Sequence, residues 1–520
     1  MSVSAVSADG SSPPINRRMI TVSIMLATVM QTLDSTIANV ALPHMQGSMS
    51  AAQDQIAWVL TAYIVASAIA TPLTGWVCDR FGQKNVFLAS VAGFTLASAM
   101  CGLSTSLAQI VGARLLQGVF GAALVPLSQV VLMEINPREK QGPAMAIWGL
   151  GVMVGPILGP TLGGWLTDSY SWRWVFFINI PVGFIAYYGI WRFIRGVPGA
   201  RHQGFDMFGF ATLSLGIGAL QMLLDRGQQN DWFSSTETWI ELILVIVAFT
   251  YFLAHTWLTA AEKSFFDYRL VRNGNYATGL VFIFIVGMVL YATRALTPTL
   301  LEDLLGYPVA TTGLVTAQTG IGTMIAMLFV GRLVGKIDLR LILAIGFALT
   351  AVALWQMCHY SLDLSQDDII WPGLIQGIGV GLVFVPLSTA TFATLAPAMR
   401  AQGTAIYSLV RNIGSSIGIS LVQTMLVRNT EIAHASIVER VTATSPAWQN
   451  PAVAGAYDVA HPAGVAALDG AITLQASMLG YIDDFWLMLG LTVVVMPLIL
   501  LIRPPGAAAA ATVDPHALAD

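Results

Sequence analysis

The chain has 520 residues, 56% of them hydrophobic and only 10% charged, with a formal net charge of −4. Soluble domains carry about 25% charged residues; here the charges sit in short gaps between apolar runs of about 20 residues, which excludes a soluble domain and describes a polytopic helical membrane protein. A membrane β-barrel is excluded too, because its strands alternate in units of about 10 residues, and the negative balance offers nucleic acid no footprint.

Residues 1–18 are a Ser-rich polar tail ending in Arg17 and Arg18. The apolar run behind it exceeds the roughly 7–15 residues of a signal-peptide core and reads as an uncleaved first span. The apolar pattern then predicts fourteen helices, at about 19–42, 55–77, 85–103, 106–133, 142–166, 174–194, 208–224, 238–258, 276–299, 312–333, 339–358, 370–395, 402–427 and 484–502. The fourth and fifth contain Pro and many Gly, which spanning helices tolerate. One long loop is expected, 428–483. Its first part, with Ser445-Pro446 and Asn450-Pro451, reads as irregular, and its last part, about 466–483, as a helical extension of the final span. A docking surface and a passive linker both fit it.

Of the 24 Lys and Arg, 17 fall on the side that holds the N-terminus and 4 (Arg173, Arg226, Arg428 and Arg440) on the other, which predicts both ends in the cytoplasm. Arg114, Arg294 and Arg411 remain inside spans. Cys78, Cys101 and Cys358 form no CxxC pair and read as apolar fillers. The seven histidines have no HExxH or HxxxH spacing, so no metal site is expected.

An internal repeat divides the chain. Leu115-Leu116-Gln117-Gly118, Pro126-Leu127-Ser128, Asn136-Pro137 and Gln141-Gly142 match Leu374-Ile375-Gln376-Gly377, Pro386-Leu387-Ser388, Ala396-Pro397 and Gln402-Gly403. Gly75 to Lys84 is echoed more weakly in Gly331 to Asp338. The fold class expected is therefore all-α: two six-helix bundles, 19–200 and 263–503, joined by two inserted helices in 201–262, with tails at 1–18 and 504–520. Parallel halves of this kind are a transporter architecture.

Arg114 is the residue that most demands an explanation. A guanidinium in an apolar span costs about 2.5–3.5 kcal/mol on insertion scales, and Asp34 in the first helix is the strongest candidate to offset it. Each lies about 8 residues from the same face, roughly 12 Å deep at 1.5 Å per residue. In such a pair the charge of Arg114 and the desolvation of Asp34 act in opposite directions on the carboxyl, so modest changes can switch its proton. The bland alternative is a structural pair that packs helices 1 and 4; apolar packing would serve that purpose at little cost. Gln117, one turn from Arg114, is expected to orient the guanidinium, and Gln31 stands likewise to Asp34. Arg411 and Asn412, Gln31 and Arg294 are the candidates to line a substrate cavity, although Arg294 also fits a snorkelling residue. Apart from Asp34, and Glu134 near one end, no carboxylate is expected well inside a span. Three arginines against so few acids point to neutral or weakly acidic lipophilic cargo. Gly151, Gly155, Gly159 and Gly163 recur every four residues, a smooth stripe for close helix approach, with Pro156 and Pro160 beside it. Helix 13 has only Gly414 and Gly418 to compare with it.

Leu33-Asp34-Ser35-Thr36-Ile37-Ala38-Asn39-Val40-Ala41-Leu42-Pro43 closely resembles the first-helix motif of the fourteen-helix drug:proton antiporters, the EmrB/QacA-type branch of the major facilitator superfamily. Gly75 to Lys84 resembles the superfamily's loop between helices 2 and 3, Arg114 to Gly121 its fourth-helix motif, and Gly151 to Gly164 its antiporter motif. Trp172 to Pro181 and Leu224 to Phe233 resemble loops of the same branch. The resemblance implies proton-coupled efflux of lipophilic drugs by alternating access, with Asp34, Arg114 and Gln117 as the coupling group and no cofactor beyond the proton gradient. It implies a cytoplasmic latch at Asp79 and Arg80 with Glu134 added, an antiporter helix that seals or flexes between the halves, and a bacterial inner-membrane location. A periplasmic adaptor and an outer-membrane channel are its implied partners. Gln83 departs from the pattern, which has a basic residue there. A dedicated exporter of one metabolite, such as a siderophore or antibiotic, and a non-transporting membrane scaffold are the alternatives; no nucleotide loop or catalytic triad supports an enzyme.

Overall fold

The computed structural model describes residues 16–196, 205–259, 264, 266–334, 336–396, 399–441, 457 and 461–502. The tail 1–15, most of 442–460, the C-terminal 503–520, Arg201 and Lys263, and the side chains of Pro156 and Pro160 lie outside the described residues.

Among the described residues, fourteen long helices follow one another. They are α1 (Arg17–Met49), α2 (Trp58–Ala70 continued by Leu73–Phe81), α3 (Gln83–Leu103), α4 (Leu107–Gly121 continued by Leu124–Ile135), α5 (Arg138–Ser169), α6 (Asn179–Phe193) and α7 (Met207–Arg226). The rest are α8 (Thr236–Leu258), α9 (Gly274–Thr299), α10 (Val309–Leu333), α11 (Leu339–Met357), α12 (Gln366–Ala393), α13 (Arg400–Arg440) and α14 (Pro462–Val495). Thirteen are individually long and apolar enough to cross a membrane; the fourteenth, α2, does so as a pair bent by 57° at Thr71-Pro72. The starts are set by side chains that satisfy otherwise orphaned N–H groups. Asn16 caps α1, Ser106 α4, Asp206 α7, Ser235 α8, Asn273 α9, Asp338 α11 and Ser365 α12.

One correction concerns the expected long loop: residues 428–440, expected to be irregular, continue α13 as helix. The expected helical extension of the last span is present, α14 beginning at Pro462. At 1.5 Å per residue the 41 residues of α13 run about 60 Å, twice the roughly 30 Å of a bilayer core, so α13 and α14 form a hairpin that stands clear of it. His434 Nε2 and Asp469 Oδ1 are 3.1 Å apart across this hairpin.

The two halves repeat one another in contacts as well as sequence. In the first, α5 packs on α1 and α6 on α1 and α3; in the second, α13 packs on α9 and α14 on α9 and α11. Ser128 and Ser388 each donate to the carbonyl three residues back, at 2.7 and 3.0 Å. Gly414 and Gly418 press on the backbone of Phe284 and Met288 in α9, so α13 has a short counterpart of the α5 stripe after all. The register of Gln117 on Gln376 places Gly373 opposite Arg114, rather than the neighbouring Trp371 or Pro372. The inserted helix α7 bridges the halves: Thr61 of α2 donates to Asp225, and Ser416 of α13 donates to Gln221 at 2.9 Å. Its partner α8 turns Ile240, Ile243, Ile246 and Leu253 outward, as a lipid-facing helix does.

Candidate functional site

The site is built where α1, α4 and α6 meet. Arg114 and Asp34 are 1% and 0% exposed, and Arg114 Nη1 donates to Asp34 Oδ2 at 2.7 Å. Gln117 Nε2 donates to Asp34 Oδ1 at 2.8 Å, and Asn179 Nδ2 does so at 2.8 Å. The carboxylate thus has three donors. Arg114 has partners of its own: Nε donates to the Val59 carbonyl at 3.0 Å, Nη1 to Gln117 Oε1 at 2.9 Å, and the guanidinium lies 4.3 Å from the Tyr63 ring centre. Asn179 is held in turn by Ser98 Oγ at 2.9 Å, which donates to the Phe176 carbonyl. Every polar group of the knot is partnered, which is what makes an ion pair tolerable away from water.

Sequence reasoning missed Asn179, Ser98 and Tyr63. Asn179 lies inside the Trp172–Pro181 stretch; its function as a donor depends on the packing of α6 on α1. Gln31 does not reach Asp34: its amide donates to the Tyr63 hydroxyl at 3.2 Å, leaving its carbonyl oxygen without a partner.

The glycine stripe explains why α1 is held so exactly. A Cβ at Gly155 would lie 2.4 Å from the Thr32 carbonyl carbon, one at Gly159 2.2 Å from Thr36 Oγ1, and one at Gly163 2.9 Å from Ile37. Thr36 Oγ1 also donates to the Gly155 carbonyl at 3.0 Å. The stripe therefore faces α1 within its own half and seats the turn that carries Asp34. The expectation that it seals between halves fits a different face of α5. There Gly142 meets Val334, Ala146 meets Gly331, Gly149 meets Met327 and Ile157 meets Gly320, all on α10 or just past its end.

The other candidates fall as follows. Arg294 points between the halves, with Nη2 3.6 Å from Met153 Sδ of α5, so it does not snorkel. Arg411 is half-buried on α13 with Nε unpartnered, and Asn412 beside it is half-buried. Among the described residues neither arginine pairs with a carboxylate. The expected Asp79–Arg80 latch is not formed: both are exposed, no hydrogen bond reaches the Asp79 carboxylate among the described residues, and Arg80 sits 5.9 Å over Trp76. Contact between the halves is made beside them. Gly75 lies so near α13 that a Cβ there would be 3.0 Å from Gln402 Cα, and Glu134 faces Gln83 and Arg400. A carboxylate was overlooked as well. Asp484, placed at the start of the last span by sequence, lies well inside α14, 0% exposed.

These contacts define a state. Inner α2 (Leu73–Phe81), inner α4 and α5 touch α10 and α13 toward the face that holds Arg17 and Ile502, whereas outer α2 (Trp58–Ala70) has no comparable contact with α13. The halves are closed together at the terminal face.

Two repeated bundles with a buried ion pair in one of them are the plan of a secondary transporter. The Major Facilitator Superfamily model matches residues 24–419, and the chain belongs to that family. It is 34% identical over 495 residues to the multidrug export protein EmrB of Escherichia coli K12, covering 94% of this chain and 95% of that one. It is also 34% identical over 488 residues to the fatty acid resistance protein FarB of Neisseria gonorrhoeae, covering 94% and 96%. In fold it is similar to the proton:xylose symporter XylE, with a TM-score of 0.62 at 12% identity over 94% of this chain and 96% of that one. The human organic anion transporter MFSD10 gives a TM-score of 0.59 at 14% identity over 92% and 100%.

Proposed function

We propose that the chain is a multidrug exporter that couples efflux of lipophilic compounds to inward proton flow through Asp34, with both termini in the cytoplasm of a bacterial inner membrane. One observation carries this reading: besides Asp34, Arg114 has the Val59 carbonyl, Gln117 Oε1 and the Tyr63 ring as partners. A proton can therefore neutralise Asp34 without orphaning a buried guanidinium, which distinguishes a switch from a fixed structural pair. With the terminal face closed, Asp34 is anionic and held by its donors. A proton arriving from the opposite face weakens that hold, loosens α1 against α4 and α6, and favours the alternate access state. Substrate then enters from the cytoplasm or inner leaflet. No cofactor takes part; each charge crossing contributes about 2.3 kcal/mol per 100 mV.

Arg294, which meets Met153 of the other half, and the half-buried Arg411, neither paired with a carboxylate among the described residues, favour neutral and weakly acidic lipophilic cargo. Relatives named for multidrug export and for fatty acid resistance support the same range. The projecting α13–α14 hairpin is the surface we assign to a periplasmic adaptor, itself joined to an outer-membrane channel. The test of the central claim is proton release from purified protein on drug addition. Wild type is expected to release protons and Asp34→Asn not to; undiminished release from the variant overturns the claim.

A further inference from the structure

The second half carries a buried acid that the coupling scheme does not use. Asp484 is 0% exposed, and neither carboxylate oxygen has a hydrogen-bond partner. Asp34, equally buried, has three donors, one of them a guanidinium. Among the described residues no cation forms an ion pair with Asp484. The charge acting on it is that of Asp483, of the same sign. Tyr481, one turn away, places its hydroxyl 3.2 Å from Thr299 Oγ1, and Asp303 and Asp484 both act on Tyr481. Tyr360, past the end of α11, stacks edge-on against Phe485. Arg428 of α13 is exposed and forms no ion pair with it.

A bare carboxylate shut away from water and donors is too costly to persist as an anion, so it holds a proton. Depth completes the argument. Asp34 lies 17 residues from the start of α1, about 26 Å from the terminal face at 1.5 Å per residue, and Asp484 18 residues from Ile502, about 30 Å with the 3₁₀ turn Met496–Leu501 rising about 2.0 Å per residue. One acid thus lies in each half at a similar level, beneath the face on which the halves are not closed together. One is ionised and clamped, the other protonated and unclamped.

We propose that Asp484 is a second proton-carrying carboxylate, releasing its proton as H⁺ to water when the halves rearrange and regaining one from the opposite face. This rests on the proton-coupled reading above and adds a second proton to it. In the repeat, Gln376 donates to Thr293 where Gln117 donates to Asp34, so the second half has lost the first half's acid and holds one on α14 instead.

Two measurements on the full-length protein test this. Glu241 is likewise buried with neither carboxylate oxygen partnered, so in infrared spectra of protein purified on a Glu241→Gln background, that background and the one with Asp34→Asn added are expected to show the carbonyl stretch of a protonated carboxylic acid that bleaches as pH is raised, and the one with Asp484→Asn added to lack it. A band retained when Asp484→Asn is added, or one in the background that no pH change moves, overturns the proposal. In proteoliposomes with the neutral dye Nile red as cargo, Asp484→Asn is expected to lower the steady-state concentration ratio about tenfold per unit of pH gradient, the loss of one coupled proton. Asp484→Glu is expected to restore it. An unchanged ratio in Asp484→Asn overturns the second proton. Wild type that builds no gradient at all overturns the proton-coupled reading instead, and the infrared result for Asp484 is independent of it.

Discussion

Removing Arg114 and removing Asp34 are unequal injuries. Without Arg114 the Asp34 carboxylate is a buried charge left with two amide donors, a situation that costs about 3–5 kcal/mol. Without the Asp34 charge, Arg114 still has a carbonyl, an amide oxygen and an aromatic face. Arg114→Ala is therefore expected to lower thermal stability sharply in detergent, and Asp34→Asn only slightly. Adding Asp34→Asn to Arg114→Ala should recover part of the loss; a double variant less stable than Arg114→Ala alone would contradict a compensated pair. Arg114→Lys should fold but transport poorly, because one ammonium cannot serve both the carboxylate and the Val59 carbonyl from the same position. Asn179→Ala removes one of three donors to Asp34 and the partner of Ser98. A loss of about 1–3 kcal/mol is expected, read as a lower Tm.

At the level of helices, sequence pattern was legible where it depended on local chemistry. The fourteen spans, the Gly repeat and the equal depth of Asp34 and Arg114 follow from hydropathy and a rise of 1.5 Å per residue. What could not be read was which face of a helix meets which neighbour. The stripe on α5 packs α1, and the contact between halves belongs to residues 142, 146, 149 and 157, which carry no comparable signature. Asp484 was placed at a boundary because the segment before it is helical yet outside the apolar window. The stripe makes a sharp prediction. Gly155→Ala puts a methyl into the Thr32 backbone and should impair transport, whereas Gly112→Ala, with nothing within 4 Å, should be neutral or stabilise by about 0.5–1 kcal/mol. Equal effects of the two, measured as dye efflux and Tm, would mean that helix propensity rather than the α1–α5 contact governs the site.

For the whole molecule, alternating access requires that the contacts at the terminal face break in every cycle. Among the described residues that face is closed by backbone approach and by Glu134 facing Arg400, with no salt bridge formed. Gly75 lies against Gln402, with its Cβ position 3.1 Å from the Gln402 Cβ, while Asp79 and Arg80 stand exposed beside them. Opening therefore has to part this close backbone approach and the facing Glu134 and Arg400, and the switch that does so is governed by Asp34 and its proton. A disulfide needs Cβ atoms about 3.5–4.5 Å apart, a few tenths of an ångström more than the 3.1 Å here, so Gly75→Cys with Gln402→Cys, on a background lacking Cys78, Cys101 and Cys358, is expected to cross-link once α2 and α13 ease apart by that amount. The oxidised protein should neither release protons on drug addition nor export, and a reductant should restore both. Transport that continues in the fully cross-linked protein would show that α2 and α13 need not separate, and that substrate leaves by a route other than the opening between the halves.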